Sequence, residues 1–286
     1  MENLPLNTES EQNKDIPNLL DFSEAFAKRQ QNKPKFLQYK KYALPSESDI
    51  NDNAENNVQP FKRKLTYEEQ ENEYIKDLIA KKQRSQDVAE RDAFYCEQLR
   101  KLRKNTAEEI IKWSGSAIIL PNLRSAEPGA LDILAQWKGE YLSIGMQSFF
   151  TEDFHSIILW KGKQLELGLI NIHSDEAKII ASWTGEALRL QKLAFIDELT
   201  AAELAQFNGN ILDLGVYGIH WSAARKLSSW KGEVLSLPNL KKIDDETAKC
   251  LAKFKGKIIA PDSVIAHIEY YKQSLVNRIF SKKSWK

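Results

Sequence analysis

A tryptophan or phenylalanine followed two residues later by glycine recurs along this chain at an almost constant interval. Successive aromatic residues of this pattern are separated by intervals that differ by no more than one residue. A regular period of about 23 residues predicts a stack of similar units, a solenoid, because propeller blades and helical-hairpin arrays need longer units. The seven pairs are Trp113/Gly115, Trp137/Gly139, Trp160/Gly162, Trp183/Gly185, Phe207/Gly209, Trp230/Gly232 and Phe254/Gly256.

Each copy contains a short segment with the periodicity of a strand. The positions five and seven residues after the aromatic residue are apolar in nearly every copy, and alternate residues of a strand share one face. These pairs are Ile118/Leu120, Leu142/Ile144, Leu165/Leu167, Leu188/Leu190, Leu212/Leu214 and Leu235/Leu237. A further apolar residue is expected to enter the core at position ten, as at Leu123, Ile170, Leu193, Tyr217 and Leu240.

The second half of each copy predicts a short helix. Apolar residues stand six and three positions before the next aromatic residue, as at Ala177/Ile180, Ala201/Leu204, Ala224/Leu227 and Ala248/Leu251. The glycine after each aromatic residue is interpreted as the residue that ends this helix with positive φ.

Some copies are longer than the others by one residue, and this difference is expected in the loop between strand and helix. The longer copies begin at Trp113, Trp183 and Trp230, and the shorter copies begin at Trp137, Trp160 and Phe207.

The pattern L-x-L-x-x-L followed by a short helix resembles the leucine-rich repeat proteins. The Trp-Lys-Gly opening of the copies at Trp137, Trp160 and Trp230 is similar to a bacterial variety of that family. The resemblance covers residues 106–268, and it implies a horseshoe-like α/β solenoid that binds proteins on its concave sheet. Two features depart from the family: the asparagine ladder is not kept, and the second copy is irregular at residues 147–154.

The segments outside the repeats predict a tail and two caps. Residues 1–60 are rich in Asn, Glu, Ser, Gln and Lys, a composition typical of disorder. Residues 61–105 predict a charged capping helix that begins with a capping box at Thr66 and Glu69 and continues to about Lys104. Residues 269–286 are interpreted as a C-terminal capping helix with a basic tail, which begins near Ile265.

The composition restricts the classes of protein to which this chain could belong. Lys and Arg number 41 and Asp and Glu 40, a balance that disfavours nucleic acid as a partner. Two cysteines do not form a disulfide framework, and neither a signal peptide nor a membrane span is visible. We therefore expect a cytoplasmic protein, although secretion as an effector without a signal peptide stays open.

The strand position between the two apolar ones is expected to face solvent and to form a binding surface. At the centre of the sheet it carries an acid, a base and an acid in neighbouring copies. Such a row is either a partner-binding surface or a ladder of surface ion pairs that adds little stability. The candidate partner-binding residues are Tyr141, Ser143, Gln164, Glu166, Arg189, Gln191, Asp213 and Ser236.

A second set of equivalent positions lies ten residues before the aromatic residue that opens the next copy, and we call it the His and Asp column. It comprises Glu127, Phe150, His173, Asp197, His220 and Asp244. Alternating His and Asp could ligate a metal or act as a pH-sensitive seam, but the residues lie along a line, and the position suits helix N-caps. We expect capping, and we expect no metal and no cofactor.

No catalytic motif is found, neither G-x-S-x-G nor a P-loop, H-E-x-x-H or Cys-x-x-Cys. The sequence therefore favours a non-enzymatic protein that recognises an unidentified protein partner, with no small-molecule substrate. The alternative is a structural or self-assembling scaffold protein that oligomerises through the N-terminal helix or the repeat edges.

Overall fold

The computed structural model describes residues 65–87 and 91–283, which belong to a compact unit spanning Arg63–Lys286. The predicted disordered tail, residues 1–60, lies outside the described residues. The strands are β1 (Ala93–Tyr95), β2 (Lys101–Leu102), β3 (Ala117–Leu120), β4 (Ser125–Ala126), β5 (Tyr141–Ile144), β6 (Gln164–Leu167), β7 (Ala187–Leu190), β8 (Ile211–Leu214), β9 (Val234–Ser236) and β10 (Lys257–Ile259). The helices are α1 (Tyr67–Gln83), α2 (Lys104–Ile110), α3 (Ala130–Leu134), α4 (Thr151–Ile157), α5 (Ser174–Ala181), α6 (Glu198–Leu204), α7 (Trp221–Leu227), α8 (Asp245–Leu251) and α9 (Asp262–Lys283).

Eight of these strands form one parallel sheet, in the order β1-β3-β5-β6-β7-β8-β9-β10. Strands β2 and β4 form a separate two-stranded parallel pair. Equivalent positions of neighbouring copies pair, as Leu142 with Leu165 and Leu188 with Leu212. The predicted α/β class is therefore confirmed, with a parallel sheet whose strands alternate with helices along the chain.

The core consists of the columns that the repeat predicts. The apolar residues five and seven positions after each aromatic residue, from Ile118/Leu120 to Leu235/Leu237, are all at most 1 % exposed. The helical residues from Ala177/Ile180 to Ala248/Leu251 are fully buried as well. Each copy therefore buries its apolar side chains between the sheet and the helices, where they contact the neighbouring copies.

The opening aromatic residues form a continuous stack. The rings of Trp160 and Trp183 have centroids 5.8 Å apart at an interplanar angle of 2°, and the stack extends from Trp137 to Phe254. Each indole of the stack also donates a hydrogen bond to the backbone of the preceding copy. Trp160 Nε1 lies 3.0 Å from the carbonyl oxygen of Trp137, and Trp183 Nε1 lies 2.9 Å from that of Trp160.

The glycine of each pair does not have the predicted positive φ. Among the described glycines only Gly129 has one, at 81°, and it is not a repeat glycine. The helices end in a tight turn instead, as where Trp183 N donates to Ile180 O. Glycine is required because the ring of its own copy covers it: a Cβ at Gly162 would lie 1.9 Å from Cζ2 of Trp160.

The loop after each strand explains the two repeat lengths. The longer copies make a turn and bury the residue at position ten, as at Leu123, Leu193 and Leu240. The shorter copies have glycine at position eight and bury position nine, as at Met146, Leu169 and Val216. The expected loop difference is confirmed, but the core assignments of Ile170 and Tyr217 are wrong, since these side chains are 36 % and 50 % exposed.

The predicted N-terminal helix is shorter than expected. It begins with the capping box at Thr66 but ends at Gln83, and residues 91–110 include β1, β2 and α2 rather than its continuation to Lys104. Phe94 pairs with Ile118, so an additional copy without the aromatic-glycine mark precedes the first predicted one. Phe94 and Tyr95 favour a strand, and residues 93–95 pair with β3. The expectation of one continuous helix took no account of this pairing.

The C-terminal capping helix is present as α9 and begins at Asp262, slightly before the predicted start. Its side chains Val264 and Ile268 are 2 % and 1 % exposed. They join the core beside α8, so this helix covers the last copy. Of residues 274–283 only the backbone is described, and the final residues of the predicted basic tail lie outside the described part.

Candidate recognition surface

The central strands place the predicted site residues in one row. Ser143 pairs with Glu166, Glu166 with Arg189, Arg189 with Asp213, and Asp213 with Ser236 across β5 to β9. Because side chains alternate along a strand, these residues project to the side of the sheet opposite the leucine columns. The row therefore lies on the face away from the helices.

Hydrogen bonds connect this row across the strands. Arg189 Nη1 lies 3.3 Å from Asp213 Oδ2, and Arg189 Nη2 lies 3.2 Å from Gln164 Oε1. Gln191 Nε2 donates to the same Asp213 oxygen at 2.7 Å, and the Tyr141 hydroxyl donates to Glu166 Oε2. Six of the eight predicted residues are thus joined to a neighbour; Ser143 and Ser236 complete the row beside them. We call the eight residues the polar row.

The polar row is more buried than its sequence pattern predicts. Arg189 and Asp213 are 2 % exposed and Gln164 is 5 % exposed, whereas Glu166 and Gln191 are half-buried. Neighbouring strands are only about 4.8 Å apart, so long side chains that lie across them cover one another. The expectation that this position is solvent-facing is wrong for most of the row, because the residues pair laterally.

One oxygen of the polar row has no partner among the described residues. Both hydrogen bonds to Asp213 are accepted by Oδ2, whereas its Oδ1 is buried and accepts none. The row carries two carboxylates, Glu166 and Asp213, against the single guanidinium of Arg189. An unsatisfied buried acceptor costs about 1–3 kcal/mol. The row therefore has one more acidic than basic side chain and one buried acceptor without a partner among the described residues.

The Tyr141 hydroxyl is buried beside the carboxylate of Glu166. Burial, and then the negative charge of Glu166, raise the pKa of the Tyr141 hydroxyl well above its ordinary value. The phenol therefore stays protonated in the folded protein and donates to Glu166 at pH values where an unfolded chain would ionise it.

Alkaline pH is expected to destabilise the fold through Tyr141. Its pKa is raised in the folded state, so its contribution to stability is complete below the unfolded pKa of about 10 and is lost as the pH rises through the folded pKa. Tyr141→Phe should flatten the decline of the free energy of unfolding above the unfolded pKa, measured by urea titration followed by circular dichroism. An equally steep decline in Tyr141→Phe and wild type would contradict this role.

The His and Asp column lies at helix N-termini. Asp197 Oδ1 accepts from Thr200 N and Asp244 Oδ1 from Thr247 N, both at 2.7 Å. Phe150, His173 and His220 hold the same N-cap position, whereas the cap of α3 is Gly129 rather than Glu127. Among the described residues, no group of three His, Cys, Asp or Glu side chains could hold a metal ion. Side-chain capping therefore explains Asp197, His220 and Asp244, whereas Phe150 and His173 make no side-chain cap bond.

Removal of a cap should destabilise the fold in a pH-dependent manner. The backbone N–H of Thr200 lowers the pKa of Asp197, so the cap contributes above the unfolded pKa and is lost as the pH falls through the folded pKa. Asp197→Ala should reduce the free energy of unfolding by about 1 kcal/mol at neutral pH and by less in acid. Denaturant titrations at the two pH values test this, with Glu203→Ala on the same helix as the control.

Exposed aromatic residues at the loop edge were missed by the sequence analysis. Phe195 is 65 % exposed, Tyr217 50 % and Trp221 40 %. The side chain of Arg225 lies over the Trp221 ring and that of Lys241 over the Tyr217 ring. For Phe195 and Trp221 the signal is a position outside the apolar columns, whereas Tyr217 stands at position ten, where a core residue is expected.

No protein-family model matches the chain, and no curated protein matches it. Within the described part of the chain, no helix combines the length and the apolar character that crossing a membrane would require. Any functional conclusion therefore depends on the geometry above.

Proposed function

We propose that this chain is a leucine-rich-repeat-like solenoid that recognises another protein through the polar row and catalyses no reaction. The observation that carries the proposal is the hydrogen-bonded network that joins Gln164, Arg189, Gln191 and Asp213 across three strands. A network built from consecutive copies gives a surface of fixed geometry, which suits recognition of an extended partner.

The chemistry of the row favours a partner with donor or cationic groups. The two carboxylates exceed the single guanidinium, and Asp213 Oδ1 accepts no hydrogen bond from a described residue. A lysine, an arginine or a backbone N–H of the partner would pair with the carboxylate of Glu166, which is half-buried and the more accessible of the two. The half-buried Glu166 and Gln191 are the members of the row that offer the first contact.

The repeat architecture supports the solenoid part of the proposal. Strands of successive copies are neighbours in the sheet, and the aromatic stack runs through the same copies. Asn122 Nδ2 donates to Glu97 O, and Asn239 Nδ2 donates to Gly215 O of the preceding copy. These two bonds lie in copies that are not neighbours, so they do not form a continuous asparagine ladder.

Affinity capture from a lysate of the cells that naturally contain this protein tests the proposal, with a polar-row variant and a matched control variant. Glu166→Gln with Gln191→Ala changes two half-buried members of the polar row. Glu203→Gln with Gln206→Ala makes the same two chemical changes on α6 and the turn after it, on the other side of the sheet. Circular dichroism first establishes that all three proteins are folded. We expect a partner to be retained by wild type and by the α6 variant, and to be lost by the polar-row variant.

Equal capture by all three proteins would place recognition elsewhere and contradict the proposal. The scaffold alternative predicts instead that the mass in solution, measured by light scattering, rises with protein concentration. It has less support, because the helices at the two ends bury their apolar residues within the chain. These residues are Ile75 and Ile79 in α1, and Val264 and Ile268 in α9.

A further inference from the structure

A second site lies at the carboxyl-terminal ends of the strands, where the second copy is irregular. An open pocket of about 390 Å³ is formed there by the loops after β3 and β5, with Lys192 from the loop after β7. Gln147 stands at position ten, where the longer copies bury a leucine. A Cβ at Gly145 would lie 2.0 Å from Pro121 O, so the wall of the pocket consists of closely packed backbone.

The charged side chains of the pocket are all positive. Arg124 and Lys192 line it, and no carboxylate does. No described residue forms an ion pair with either cation. Arg100 lies beside them, since its Nη1 is 3.5 Å from Asn122 O and its carbonyl accepts a hydrogen bond from Arg124 N. By contrast, the nearby Lys101 forms an ion pair with Glu127.

Neutral donors surround the same space. Gln147 and Ser148 line the pocket with an amide and a hydroxyl, and both side chains are exposed. Their backbone N–H groups donate to no described residue. The pocket thus combines two basic side chains with an amide and a hydroxyl, all of them groups that can donate hydrogen bonds to an anion.

We propose that this pocket binds a small phosphate-bearing molecule through Arg124, Lys192 and the loop that carries Gln147 and Ser148. The volume lies within the range of small-molecule sites, about 300–1,000 Å³, and exceeds the space that one phosphate group occupies. The phosphate binds between the two cations, and the remainder of the ligand lies along the polar lining. No residue of the polar row lines the pocket, although Lys192 follows Gln191 along the chain, and a small-molecule ligand was not expected from the sequence.

Isothermal titration calorimetry of the full chain with pyrophosphate at low ionic strength tests the site. Arg124→Gln with Lys192→Gln removes the two cations of the pocket. Lys161→Gln with Lys231→Gln removes the same charge from exposed lysines that follow Trp160 and Trp230. We expect one site in wild type and in this control, and a loss of affinity of at least about tenfold in the pocket variant.

Two outcomes would overturn the proposal: no binding of pyrophosphate to wild type, or equal affinity in both double variants. If a phosphoserine peptide binds in the first case, a modified protein replaces the small molecule as the ligand. The polar-row variant Glu166→Gln, which leaves Gln191 beside Lys192 unchanged, should bind pyrophosphate as wild type does. Failure of partner recognition is thereby distinguished from failure of the pocket.

Discussion

Trp160→Ala is expected to lower the free energy of unfolding by roughly 3–5 kcal/mol. The Trp160 side chain is fully buried and stacks against Trp137 on one side and Trp183 on the other. Its removal leaves a cavity, interrupts the aromatic stack and deprives the carbonyl of Trp137 of its indole donor. Urea unfolding followed by circular dichroism measures the loss.

Two further variants separate the parts of this effect. Trp160→Phe keeps an aromatic ring in the stack and removes the indole hydrogen bond, so it should cost about 1 kcal/mol. Phe207 and Phe254 occupy the equivalent position in their own copies. Trp221→Ala makes the same deletion at a site that is 40 % exposed. A cost for Trp160→Ala no larger than that for Trp221→Ala would contradict the structural role of the stack.

Gly215→Ala should destabilise the protein by roughly 1–3 kcal/mol or more, although φ at this glycine is not positive. The added Cβ would lie 1.8 Å from the carbonyl oxygen of Gln191 and 2.3 Å from its carbon. Both atoms belong to the backbone of the preceding copy, so no side-chain rotation relieves the overlap. The thermal midpoint and the urea midpoint should both fall.

Gly218→Ala is the matched control, three residues further along the same loop. A Cβ at Gly218 would meet no atom within 4 Å. The substitution should be neutral or stabilising by up to about 1 kcal/mol, because alanine restricts the unfolded chain. Equal effects at the two glycines would mean that close approach between copies does not determine the choice of glycine.

The apolar columns were predictable because they depend on contacts that repeat in every copy. A leucine at position five or seven meets the equivalent leucine of the next copy, so the period and the alternation together determine the strand and its buried face. The one-residue difference in repeat length could also be assigned to the loop between strand and helix. The reason for glycine at Gly168 and Gly215 is visible only in the structure, where the backbone of the preceding copy lies against them.

The features that were missed depend on contacts which the repeat does not encode. β1 lacks the aromatic-glycine mark, and its strand is stabilised by pairing with β3, so the helical propensity of its surroundings was misleading. The burial of Arg189 could not be anticipated either. It follows from lateral hydrogen bonds to Gln164 and Asp213. Whether a strand side chain bonds to its neighbour or extends into solvent depends on its conformation, which the sequence pattern does not specify.

The indole hydrogen bonds give the row of copies a direction. Each donor reaches back to the copy before it, as from Trp183 to Trp160 and from Trp230 to Phe207. Phenylalanine cannot donate, so the boundary that precedes Phe207 and the boundary that precedes Phe254 have stacked rings but no such bond. The boundary before Trp113 lacks the bond as well, since Trp113 Nε1 is buried and has no partner among the described residues. The last copy is therefore joined to the copy before it by strand pairing, ring stacking and apolar contacts, without an indole bond.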